Sequence, residues 1–146
     1  MDSFGYKLFF LLHILSVIVA FAPGFVWPIV AVNLKKQQKP VGPAIGALAA
    51  GNGTKVHGPA LVLAGFFGFG LIGMSDKVWE FSQSWISVAM LLWFIMIGVL
   101  FGMMIPAEKR SAAGDESADK IVAMSSGILH LLLLLMLVDM IWKPGL

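Results

Sequence analysis

Four ionisable side chains stand inside otherwise apolar sequence and are the residues of this chain that could do chemistry: His13, His57, His130 and Asp139. Hydrocarbon penalises such groups, so where they occur in a membrane segment they face a bundle interior or a cavity and commonly carry function. By helical rise, His13 lies about 8 Å below the start of its apolar run, and Asp139 about 5 Å below the end of the last run. The two are therefore expected at similar depth, close enough for a direct or water-bridged contact. His130 is expected about 18 Å from that same end, and His57 at the opposite edge. His130 and Asp139 are nine residues apart, about half a turn in angle, so they face opposite ways.

Haem is the candidate cofactor for this set, because histidine is a common axial ligand. Two histidines on one haem must reach it at similar depth, whereas His13 and His130 differ by about 10 Å, so a shared site requires staggered helices. Each histidine can instead be a hydrogen-bonded packing residue. No metal site is expected: no two of these four residues stand at i, i+3 or i, i+4 on one helix, and the chain has no cysteine. Nor is there a carboxylate pair arranged for catalysis, so no catalytic residue is assigned.

The elements that must position these groups are four stretches free of charge: Leu8–Leu34, Val56–Ser75, Phe81–Ala107 and Ile121–Val138. About 20 apolar residues cross the hydrocarbon core, and a backbone there must bond within its own segment. Each stretch reads as one membrane helix. The chain is 59% hydrophobic and 12% charged, against about 25% charged in soluble domains. One compact unit over residues 1–146 is expected, with spans near 8–34, 56–75, 81–107 and 121–142. The basic pI reflects lysines flanking the helices, so nucleic acid is not an expected partner. The first run could be mistaken for a signal peptide, with Ala20-Phe21-Ala22 as the cleavage site. However, it continues to Leu34 and Pro23 follows the cut, so an uncleaved helix is expected.

Lys35, Lys36, Lys39, Lys55, Lys109, Arg110 and Lys120 fall on one side, and only Lys7, Lys77 and Lys143 on the other. The positive-inside bias then places both termini outside. Tyr6, Trp79, Trp85 and Trp142 gather at the outer level, where amphipathic rings settle.

Small residues recur at four-residue spacing: Ala20 and Gly24, then Ala60, Ala64 and Gly68, then Gly98 and Gly102. Such faces let helix backbones approach in lipid, within the chain or against another membrane protein. Pro23 and Pro28 each remove a backbone donor and should kink or end the first helix. The 35–55 connection is rich in Pro, Gly and Ala, and its Ala44–Ala50 portion is compatible with an extension of helix 2 or an interfacial segment. Gly46–Gly51 lacks the Lys and the preceding strand of a phosphate loop. The Glu108–Lys120 stretch reads as a solvated linker or helix extension.

In helix 1, His13-Ile14-Leu15, Phe21-Ala22, Phe25 and Pro28 resemble the first helix of the bacterial four-helix membrane protoporphyrinogen oxidase family, and Lys143-Pro144 is similar to that family's ending. The chain as a whole looks closer to a related set of predicted four-helix integral membrane proteins of bacteria, with copper-resistance membrane domains as more distant relatives. The oxidase resemblance implies His13 as a ligand of haem b, with His130 the other histidine to weigh. The sequence departs from that pattern: Ile29 stands where a basic residue follows the helix-1 proline, helix 3 has no Lys, and Ser125-Ser126-Gly127 replace the expected Asn-Glu. The combined reading is an all-α four-helix transmembrane bundle in a bacterial cytoplasmic membrane. It would be a non-enzymatic accessory or scaffold subunit that packs against other membrane subunits or itself. A haem-binding redox protein centred on His13 is the alternative, and a small transporter or proton relay through His13, His130 and Asp139 a third.

Overall fold

A computed structural model of the chain describes residues 3–39, 45, 49 and 51–145. Four helices carry the fold, with no strand among the described residues: α1 (Phe4–Lys36), α2 (Gly53–Gly73), α3 (Ser84–Ala112) and α4 (Glu116–Trp142). All four are long and apolar enough to cross a membrane. α1 packs along α2, and α3 along α4, so the molecule is two antiparallel helical hairpins that touch less closely along α2 and α3. The start of α1, the α2–α3 turn and the end of α4 share one end of the bundle, called here the terminal end.

Local chemistry sets where each helix begins and stops. The Ser3 hydroxyl accepts from the Tyr6 N–H at 3.2 Å and caps α1, filling one of the donors that a helix start leaves unpaired. α1 does not end at its prolines; it runs through Pro23 and Pro28 to Lys36. α2 and α3 each contain a π-helical turn, Gly53–His57 and Leu100–Met104, and each is followed within two residues by a proline, Pro59 and Pro106. A proline ring collides with the carbonyl four residues back and has no N–H for it. Widening the preceding turn relieves that collision. The two turns also interlock: a Cβ on Gly58 would meet Phe101 at 2.8 Å, and one on Gly53 would meet Ile105 at 3.2 Å.

Two boundaries lie beyond the expected spans, in the way that a helix extension over 108–120 requires. Helix 3 continues through Glu108 to Ala112, and α4 starts at Glu116, so the expected 108–120 connection shrinks to residues 113–115. The cause is a cap: Asp115 accepts from the Ser117 N–H at 3.0 Å and turns polar sequence into the first turn of α4. The 44–50 segment lies outside the described residues except for Ile45 and Ala49, which are helical and buried.

The tightly packed core consists of Ala20, Phe21, Ala60, Leu61, Met96, Leu100, Met104, Ile105, Leu129, Leu132 and Leu133. By position on their helices, these residues occupy the middle of the bundle and the half away from the termini. The terminal half is different.

Candidate functional site

Between the hairpins, at the terminal end, lies a chamber of about 510 Å³ walled by all four helices and the α2–α3 turn. His13 is in its wall. The His13 Nδ1 lies 2.7 Å from the Ala64 carbonyl oxygen and donates to it, which leaves Nε2 as the ring's acceptor. Gly68 makes room for the ring, since a Cβ there would stand 3.4 Å from it. The small residues of α2 thus seat a histidine of α1.

Three indoles also line the chamber: Trp79, Trp85 and Trp93. Trp93 fills the notch left by Gly65 and donates its ring N–H to the Leu61 carbonyl at 2.9 Å. Trp79 donates to the Tyr6 hydroxyl at 3.2 Å. Trp85 packs edge-on against Trp79 with centroids 5.3 Å apart, and its buried N–H has no acceptor. The Lys143 ammonium sits 4.1 Å from the Trp79 ring centroid and 5.5 Å from that of Trp85, a cation–π arrangement. The chain end is pinned there as well, because the Ser84 hydroxyl donates to the Pro144 carbonyl at 2.8 Å. Of the aromatic residues expected at this level, Tyr6, Trp79 and Trp85 converge, while Trp142 is exposed. The turn beneath them is built on Ser75: its fully buried hydroxyl accepts from the Trp79 N–H at 3.0 Å and lies 2.8 Å from the Ile72 carbonyl.

At the other end, polar groups are buried without partners. Glu108 of α3 is 3% exposed, and its Oε2 has no hydrogen-bond partner. That oxygen lies only 2.5 Å from where a Cβ on Gly53 would stand. One turn along α2, His57 is 6% exposed and its Nε2 is likewise unpaired, as is the hydroxyl of fully buried Ser125 on α4. Ser111, one turn beyond Glu108, donates to Asp119 at 2.6 Å. His57 packs edge-on against Phe21 at 5.8 Å, and His130 against Phe25 at 4.8 Å. The Phe21–Phe25 turn of α1 therefore stands between a histidine of α2 and a histidine of α4.

His130 turns its Nδ1–H back onto the Ser126 carbonyl of its own helix, 2.7 Å away, and its ring rests on Gly24, where a Cβ would approach within 3.0 Å. His13 and His130 are not brought together. His130 meets α1 at Gly24, eleven residues past His13, which is about 16 Å by helical rise. These two side chains do not fit opposite faces of one haem. Asp139 is buried at the terminal end with both carboxylate oxygens unbonded, so the expected direct His13–Asp139 hydrogen bond is absent.

The small residues fall into two groups. Ala20, Ala60 and Ala64 are buried between helices, and Gly24 and Gly68 seat the two histidines. Gly98 and Gly102 differ: a Cβ on either would meet nothing within 4 Å. Among the described residues, no group of three or more His, Asp or Glu side chains could hold a metal ion.

Glu108, expected in a solvated linker or a helix extension, is a buried ionisable group on the extension of α3. The signal was present: Met104, Glu108 and Ser111 continue the inward face of α3 at helical spacing. No protein-family model, curated protein or solved structure matches this chain.

Proposed function

We propose that this membrane protein is a non-enzymatic accessory subunit, with both termini on the outer face of a bacterial cytoplasmic membrane, that docks another transmembrane helix on α3. The observation carrying this reading is the uncovered face at Gly98 and Gly102. With exposed Leu91 and Ile95 these glycines form a stripe at helical spacing. A glycine inside a helix costs about 1 kcal/mol relative to alanine, and lipid gives nothing back for the missing side chain. A partner backbone does, through close approach. The neighbouring π-turn accounts for a local widening of α3 but does not require glycine at residue 98, which precedes it.

Because the chain has no cysteine, single-cysteine variants test the proposal cleanly. Gly102→Cys should crosslink in native membranes to a partner subunit or a second copy. The Gly98→Leu, Gly102→Leu double variant should lose that association while melting at the wild-type temperature in detergent. Absence of any crosslink, together with an unchanged assembly size for the double variant, would refute the docking face. In the same background, Ser3→Cys should react with an impermeant thiol reagent from outside, and exposed Ala113→Cys only from inside.

A further inference from the structure

The chamber at the terminal end has a shape, a charge and a wall chemistry that together select a ligand. On α1 it reaches from Tyr6 to Phe21, on α2 from Leu61 to Ile72, and on α3 from Trp85 to Met96. At 1.5 Å per residue these intervals give a length of about 16 to 22 Å. The space is long and follows the helix axes, as a hydrocarbon chain laid between the hairpins would. The wall is almost wholly apolar over this length: Phe21, Leu61, Met96, Leu133 and Met136 surround its deep part. Methionines suit an irregular chain, because their unbranched side chains adapt to it.

Only the rim is cationic. Lys143 stands over the Trp79 and Trp85 rings, and the Lys143 N–H bonded to the Asp139 carbonyl at 2.8 Å fixes the residue as the cap of α4. Among the described residues, no carboxylate lines the chamber. An anionic oxygen beside Lys143 therefore meets a fixed ammonium with no competing acid in the wall, and charge-assisted contacts of this kind are the strong ones. His13, about 10 Å further in, is held by Ala64 and acts as wall.

From this geometry we propose that the chamber binds a single-chain anionic amphiphile. Its headgroup, a carboxylate or a phosphate, lies at Lys143 between Tyr6, Trp79 and Trp85, and its hydrocarbon chain runs inward past His13 to Phe21. This site is separate from the Gly98–Gly102 face, so it stands or falls independently of the docking proposal.

The test uses the full chain in lipid nanodiscs and cis-parinaric acid, a fluorescent polyene fatty acid that accepts energy from tryptophan. Saturable transfer at one probe per chain is expected. Lys143→Gln should weaken parinarate binding about tenfold, the loss of one charge-assisted contact, and leave the uncharged parinaryl alcohol unaffected. Ala89→Phe, which puts a ring into the bore from α3, should abolish binding of both. Its melting temperature checks that it folds, and Lys143→Gln at the rim carries the test if it does not. Oleate and oleyl phosphate should each displace the probe, and the stronger of the two identifies the headgroup. Transfer that rises linearly with probe, displacement by oleyl alcohol as readily as by oleate, or Lys143→Gln binding parinarate like wild type would overturn the assignment.

Discussion

The two ends of this bundle solve the same packing problem in opposite ways. At the terminal end, large aromatic side chains hold the hairpins apart. The Trp93 and Trp79 ring donors and the His13 ring find acceptors, the Trp85 N–H and both Asp139 oxygens do not, and a chamber is left between the hairpins. At the other end, π-turns and glycines let α2 and α3 approach until Gly53 touches a carboxylate, and Glu108, His57 and Ser125 are closed in with unpaired polar atoms. Close backbone approach is the way helices gain contact in lipid, where apolar surface gives no net drive to associate. Unpaired polar atoms are common to both ends, and what differs is the space around them: tight packing leaves no room in which a side chain could turn to a partner.

The largest effect expected from breaking this contrast is at Gly53. A side chain there meets the Glu108 Oε2 and Ile105 at once, in a turn already widened ahead of Pro59. Gly53→Leu should destabilise the protein by about 3 kcal/mol, the upper end for overpacking a filled core, read as a lower melting temperature in detergent. Gly73→Leu on the same helix is the control, since a Cβ there meets nothing within 4 Å. Equal tolerance of both would mean that the dense end is no denser than the hollow one.

Glu108 sharpens the comparison with a change of opposite sign. A buried polar group without a partner costs about 1–3 kcal/mol, and an apolar residue of similar length removes that cost. Glu108→Met should therefore raise the melting temperature, by an amount corresponding to about 2 kcal/mol, and Glu108→Gln, still polar, should not. A fall in stability for Glu108→Met would show that the carboxylate has a partner in the membrane and that this end is a paired site.

Much of this was legible in the sequence, for a definite reason. Spans are declared by length and apolarity, which are additive properties, and all four helices lie on the four uncharged runs. Rim aromatics were legible at the level of depth: Tyr6, Trp79 and Trp85 were expected together and do converge. What was hidden is phase. Each π-turn advances its helix relative to a regular α-helical count, so the faces presented by His57 and Glu108 depend on turns that Pro59 and Pro106 induce. A charge marks the end of an uncharged run, yet Glu108 stands just past the third run and is buried. The direct His13–Asp139 hydrogen bond is absent for a related reason: equal depth fixes one coordinate only, and the His13 Nδ1 is turned toward Ala64 of α2.

The smallest effect belongs to the short turn that joins α3 to α4, at the surface of the dense end. Asp115 accepts from both the N–H and the hydroxyl of Ser117, at 3.0 and 2.5 Å. The Ser117 side-chain hydrogen bond is the main cause that holds its carboxyl below the usual range, helped by the Ser117 N–H and by Arg110. A carboxyl held low in the folded state binds its proton less readily there than in the unfolded chain. Its contribution is thus complete above the ordinary aspartate value of about 4 and is lost as the pH falls through the lower, folded value. Melting curves from pH 7 to pH 3 should accordingly show a small acid-side loss in wild type that Asp115→Asn lacks, because the amide oxygen still caps Ser117 but cannot titrate. Asp115→Ala should show the loss at every pH. If all three proteins share one pH profile, α4 owes its early start at Glu116 to packing against α3 and not to its cap.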